Sequence, residues 1–197
     1  MSAAANSSAS RSEEILAIAQ NFIQSRGYNG FSYRDIAAEI GVKSASVHYH
    51  FPTKGDLGKA VTARYTAQFG QQLTLIEAAE EKACDRLKAY ATLFQNTLVE
   101  RNLICMCGML AGDIETLPDI VKSEVAKFFE AQQQWLTNVI QAGIETGEVA
   151  KPSVTAESLA TTFLSTLEGA MLVSRGLDQN AQFDIVTASI IKTLFRL

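Results

Sequence analysis

The sequence predicts an all-α protein, and three observations carry that expectation. Apolar residues recur at three- and four-residue steps in one segment after another, the pattern of amphipathic helices. Only three prolines, Pro52, Pro118 and Pro152, interrupt 197 residues, and each stands beside a stretch of helical spacing. No stretch alternates apolar and polar residues between hairpin-turn signals.

The elements follow in order. Residues 1–10 are small and polar and read as a disordered arm, and the absence of an apolar h-region argues against a secretory leader. Ile15, Ile18, Ala19, Phe22 and Ile23 mark a helix that Gly27 stops. Ser32 precedes the next one, with Asp35 at the position that completes a capping box and Phe31 and Ile36 placed as a hydrophobic staple. That helix, Tyr33–Ile40, ends at Gly41, which takes a left-handed conformation without a Cβ penalty. Ser44 is expected to cap a second short helix running through His50. Small residues at Ala37 and Gly41, with Ile36, Ile40, Val42 and Val47 as the buried side, make the pair a helix-turn-helix.

Thr53, with Asp56 three residues on, caps a helix of more than twenty residues striped by Leu57, Val61, Tyr65, Phe69, Leu73 and Ile76. Cys84, Leu87, Ala91, Phe94 and Leu98 step 3-4-3-4 along another. A soft cluster, residues 103–118, then separates two helices. Val121, Val125, Phe128, Trp135, Val139 and Gly143 trace a third long helix ending near Gly147. Leu159, Phe163, Leu167 and Met171 run through a fourth, and Phe183, Val186, Ile190 and Leu194 close the chain.

Composition narrows the function. The net charge of −4 argues against a general nucleic-acid coat, but residues 1–70 hold seven Lys and Arg against five Asp and Glu, while the remainder is acidic. No apolar run approaches the ~18 residues a membrane span needs. Three cysteines, two of them one residue apart, do not form a secreted disulfide framework, so the cytoplasm is the expected compartment. The only histidines, His48 and His50, point roughly 200° apart on a helix and cannot share one metal ion. With no base beside a nucleophile and no phosphate-binding loop, an enzyme is not expected, and neither is a cofactor.

The second short helix offers Lys43, Ser44, Ala45, Ser46, His48 and Tyr49 to the outside, none of them acidic. Small residues at its start let the backbone N–H groups approach phosphates, and Lys54 at the next helix N-terminus suits a phosphate clamp. The run from Ser32 to Leu57 resembles the DNA-binding domain of the TetR family of bacterial transcriptional regulators. The resemblance rests on Ser32, Ile36, Ala37, Gly41, Val42, Val47, Phe51, Lys54 and Leu57. It departs from the family pattern at Lys43, at the order His48-Tyr49-His50 and at Gly55.

The resemblance implies a helix-turn-helix domain over residues 11–65 and a helical ligand-binding and dimerisation domain over 66–197. The DNA-contacting set is then Ser32, Tyr33, Arg34, Lys43, Ser44, Ala45, Ser46, His48, Tyr49, Thr53 and Lys54. Expected partners are a palindromic double-stranded operator, a small-molecule effector and a second copy of the chain, with repression as the expected outcome.

In the second domain, Phe94, Cys105, Met106, Met109, Trp135, Phe163 and Met171 are candidates to line an effector cavity. Core packing explains the Cys and Met residues equally well, while Cys105 or Cys107 could instead sense oxidants or electrophiles. A helical small-molecule carrier that has lost DNA binding is the third alternative. Glu168, inside an apolar run, must face solvent or a partner group. The last two helices are apolar beyond what one small domain buries, and the resemblance assigns such a pair to the dimer face. The residues expected there are Leu159, Phe163, Leu167, Gly169, Ala170, Val186, Ile190 and Leu194.

Overall fold

The computed structural model describes residues 2–99, 101–149 and 153–195, with side chains from residue 10 onward. The described residues form nine α-helices and no strand. In order these are α1 (Ser2–Arg26), α2 (Tyr33–Ile40), α3 (Ser44–His50), α4 (Lys54–Ala79), α5 (Ala83–Val99), α6 (Met106–Gly112), α7 (Asp119–Thr146), α8 (Ala156–Gly176) and α9 (Ala181–Phe195). Short 3-10 turns occupy Tyr28–Gly30 and Ile114–Thr116. No described helix is long and apolar enough to cross a membrane.

The chain divides into two compact units: Met1–Ala67 with Met106–Phe128, and Gln68–Cys105 with Phe129–Leu197. The divisions within helices fall in α4 and α7. The first unit therefore includes a return segment, 106–128, lying far along the chain from the helix-turn-helix.

In the first unit, Ile15, Ala19, Ile23, Ile36, Val47, Leu57 and Val61 are buried, joined by Leu110, Val121 and Val125 of the return segment. Helix α2 begins at a reciprocal cap, the Ser32 amide and hydroxyl both donating to Asp35 Oδ2 at 2.7 Å. It ends at Gly41, whose φ of 74° lets Val42 N–H reach Ala37 O at 2.9 Å and Gly41 N–H reach Ala38 O at 3.3 Å. That is a Schellman closure, and it sets the turn between α2 and α3. Helix α4 starts on a second full box, in which Thr53 N donates to Asp56 Oδ2 at 3.0 Å and Asp56 N to Thr53 Oγ1 at 3.1 Å.

Three local expectations change. Lys43, not Ser44, is the N-cap of α3, and Ser44 is its first helical residue. Residues 2–10, expected as an arm, continue α1, their alanines being strong helix formers; Met1 lies outside the described residues. Residues 106–112, expected as a linker cluster, form α6 by burying Met106, Cys107 and Leu110.

The return segment explains two glycines. A Cβ at Gly58 would lie 2.8 Å from Val121 Cγ2 and 2.9 Å from Tyr28 Cε2. At Gly55 it would lie 3.3 Å from Ile120 Cδ1, so the departure from the family pattern there marks a close approach of α7 to α4.

The second unit is built on α5, α8 and α9, which pack on one another. Tyr90 sits fully buried at its centre. Its ring stacks on Trp135 at 5.5 Å and meets Phe94 at 5.3 Å and Phe163 at 6.2 Å. Thr155 caps α8 by accepting from Ser158 N at 3.1 Å.

Candidate functional site

The surface around α2 and α3 is built from short-range rules. Val47 is buried against the first unit's core, which turns the opposite side of α3 outward. Lys43, Ala45, His48 and Tyr49 are exposed, as are Ser32, Arg34 and Thr53, while Ser44 and Ser46 are half-buried. Tyr49 is 81% exposed, its ring meeting the neighbouring His50 edge-on at 5.3 Å. The two histidines diverge as their spacing requires, His48 exposed and His50 half-buried, and the described residues hold no group of side chains able to bind a metal ion.

A hollow of about 460 Å³ opens on this surface, lined by Ser32, Tyr33, Arg34, Ser44, His48 and Lys54 among others. Two members of the expected DNA-contacting set serve the scaffold here. Tyr33 is buried; its hydroxyl lies 2.8 Å from Phe51 O and 2.5 Å from Thr53 O, and its ring packs on His48 at 4.5 Å. Burial, reinforced by Asp56 and Tyr28, pushes its ionisation up, so the hydroxyl stays a neutral donor. Tyr33 thus holds the corner between α3 and α4 and orients His48.

Lys54 is similarly committed. Its Nζ donates to Phe31 O at 2.5 Å and rides over the rings of Phe31 at 4.3 Å and Tyr28 at 4.9 Å. Burial lowers its pKa, opposed by the charges of Asp35 and Asp113. Only its remaining N–H donors face the hollow, so Lys54 braces the site more than it reaches outward.

The residues expected to line an effector cavity are divided between the two units. Phe94, Cys105, Trp135, Phe163 and Met171 belong to the second unit, Met106 and Met109 to the first. Phe94, Cys105, Phe163 and Met171 are buried core, and half-buried Trp135 donates from Nε1 to Glu77 Oε1 at 2.8 Å. An open hollow of about 340 Å³ lies elsewhere, between α5 and α9, and includes Gln95, Phe183, Thr187 and Lys192.

Periodicity gave no sign of the polar group at the unit's centre. Both Glu168 oxygens and the Tyr90 hydroxyl are buried without a completed hydrogen bond. Burial pushes the Glu168 pKa up to about 7, with the Cys105 thiol beside it pulling the other way. The position of Glu168 in an apolar run was the one sequence signal; Tyr90 hid behind the 3-4 stripe of α5.

The expected dimer residues divide by burial. Phe163, Leu167, Ala170 and Leu194 are buried within their own unit, while Leu159, Gly169, Val186 and Ile190 remain half-exposed. The apolar side chains most exposed on α8, α9 and their connection are Leu172, Val173, Leu177 and Ile185.

Comparison with known proteins agrees with this architecture. Residues 15–61 match the family model "Bacterial regulatory proteins, tetR family", and residues 83–190 match "Tetracyclin repressor-like, C-terminal domain". A TetR-family transcriptional regulator from Agrobacterium tumefaciens is 31% identical, with a TM-score of 0.92 over 95% of this chain and 99% of that one. A TetR transcriptional regulator from Legionella pneumophila is 34% identical, with a TM-score of 0.83 over 92% and 96%. The HTH-type transcriptional repressor DhaR of Mycobacterium sp. (strain GP1) is 26% identical over 148 residues, 75% of this chain and 73% of that protein. An all-helical chain with a helix-turn-helix head and a tetracycline-repressor-like helical body, it belongs to the TetR family of bacterial transcriptional regulators.

Proposed function

We propose that this regulator is a homodimeric cytoplasmic repressor that seats α3 in the major groove of a palindromic operator and leaves it when a small molecule binds the body. The observation that carries the DNA reading is the outward face of α3, where Lys43, Ala45, His48 and an 81% exposed Tyr49 stand together with no acidic side chain among them. An exposed lysine and aromatic edges beside half-buried serines suit phosphate contact followed by base contact. Ser32, Arg34, Ser44, Ser46 and Thr53 complete the proposed contact surface, with Tyr33 and Lys54 as its supports.

Two-fold symmetry would place the two α3 helices about 34–36 Å apart, one turn of duplex, or at a multiple of that distance. The exposed Leu172, Val173, Leu177 and Ile185 supply the apolar area for a second copy. An effector acts by preferring a dimer whose α3 helices are misspaced. Reducing DNA affinity a hundredfold requires about 2.7 kcal/mol of coupling.

The test is fluorescence anisotropy with duplexes from beside its own gene, read as a function of salt. Lys43→Ala should flatten the salt dependence by about one unit of log slope, and Tyr49→Ala should weaken binding without changing the fold. Wild-type protein that ignores every such duplex at low salt is the result that rejects the reading and leaves a helical small-molecule carrier. Sedimentation should show a dimer at micromolar concentration, and Leu172→Glu with Ile185→Glu should dissociate it.

A second reading, release by thiol modification, is carried by Cys105, a buried thiol that an oxidant reaches only when the unit opens. It requires that peroxide or a quinone release DNA from wild type and Cys107→Ser but not from Cys105→Ser.

A further inference from the structure

We infer that the effector carries an organic ammonium group, seated between the Glu168 carboxylate and the aromatic cluster centred on Tyr90. The inference rests on the effector-responsive reading above and names the chemistry that the effector brings.

Glu168 projects from the middle of α8. Its stem keeps some accessibility, but both carboxylate oxygens are buried and neither completes a hydrogen bond. This is the reverse of an exposed glutamate, which keeps its stem against the protein and its charge in water. Its helical neighbours Leu164, Leu167 and Met171 are buried and apolar. Among the described residues no ion pair includes it. The Cys105 thiol favours its charged form, but a weak S–H donor does not neutralise a carboxylate.

A second polar group, near enough to feel the Glu168 charge, is also unsatisfied. Tyr90 is fully buried, its hydroxyl completes no hydrogen bond, and its ionisation is opposed first by burial and then by the charges of Glu168 and Cys105. The Tyr90 ring belongs to the wall formed with Trp135, Phe94 and Phe163. Leaving such polar groups without partners destabilises the folded state, and a ligand that supplies partners removes that cost.

Charge and shape select the ligand. A neutral hydroxyl or amide could bond one oxygen but would leave the charge uncompensated. An ammonium satisfies the carboxylate and meets the negative faces of aromatic rings with its alkyl groups. An anion is repelled by Glu168. Its one local attraction is Arg175, two turns further along α8, whose Nη1 is also buried without a hydrogen bond.

Trp135 is the chain's single tryptophan and stacks on Tyr90, so its emission reports on the site directly. The full-length protein is titrated with benzyltrimethylammonium, benzyl alcohol and benzoate at neutral pH. The expected result is a saturable change with benzyltrimethylammonium, at least about tenfold tighter than with benzyl alcohol, and weakened by about tenfold or more in Glu168→Gln. A preference for benzoate or benzyl alcohol, equal binding of the cation by wild type and Glu168→Gln, or no saturable change at millimolar concentration overturns the inference. The three-probe comparison in wild type decides the charge preference even if the variant folds poorly. Operator binding measured in the same samples without probe keeps the two claims apart. Its loss rejects the regulator, whereas intact DNA binding with no cation preference rejects only the ammonium.

Discussion

The Tyr28 amide donates to Asp113 Oδ2 at 2.8 Å across 85 residues of sequence. This bond ties the turn after α1 to the turn after α6, and Asn29 Nδ2 donating to Thr116 Oγ1 at 2.8 Å doubles it. The carboxylate sits so close that a Cβ on Gly27, already at φ 79°, would come within 3.0 Å of it. Asp113→Ala should therefore cost about 1–2 kcal/mol, because the partly buried Tyr28 N–H loses its acceptor. Asp113→Asn, which keeps an acceptor oxygen, should cost less. Urea unfolding at neutral pH checks both, and equal stability of wild type and Asp113→Ala would remove this bond as a fastening.

Tyr33 and Tyr49 should separate stability from binding. Tyr33→Phe removes the hydroxyl beside Phe51 O and Thr53 O and is expected to lower stability by about 1–2 kcal/mol. Tyr49→Ala, at an exposed position, should leave unfolding within about 0.5 kcal/mol of wild type while weakening operator binding. Paired measurements of unfolding and anisotropy decide this, and the opposite pattern would reverse the two roles.

Two glycines should fail for different reasons. Gly41 has φ 74° and open space where a Cβ would go, so Gly41→Ala costs only backbone strain, about 1–2 kcal/mol. Gly41→Asn should recover part of that loss, since asparagine tolerates the left-handed region. Gly58→Ala meets Val121 and Tyr28 below 3.0 Å and should cost about 1–3 kcal/mol by overpacking. Gly58→Asn should be worse still. Thermal unfolding of the four variants supplies the comparison.

The raised pKa of Glu168 fixes the sign of a pH effect. Between its ordinary value of 4.5 and about 7 the folded chain holds a proton that the unfolded chain has released. This contribution to stability is complete below the lower value, declines as pH rises through the window and is level above it. The wild-type decline should reach up to about 3 kcal/mol relative to Glu168→Gln, which has no carboxyl to titrate there. Denaturant midpoints of both proteins across this range test it, and parallel curves would show that Glu168 titrates normally.

What could be read from the chain was local. The bounds of α2, Tyr33–Ile40, follow from Ser32, Asp35 and Gly41, and the start of α4 from Thr53 and Asp56, because caps and left-handed glycines act over three to five residues. Helix α6 was not legible, since two glycines in Met106–Gly112 weaken its intrinsic preference and burial of its apolar side made it. The same limit explains Phe163, Leu167, Ala170 and Leu194. Helical spacing marks a side chain as apolar but does not say whether its own core or a second copy covers it.

The sequence by itself determined an all-helical chain with a capped helix-turn-helix near its start, because those signals are written in neighbouring residues. Tertiary structure decided that residues 106–128 return to the head, that Tyr33 and Lys54 are tied to backbone carbonyls within it, and that both Glu168 oxygens are buried. Each of these depends on groups brought together from distant parts of the chain, and no local pattern encodes which distant group will arrive.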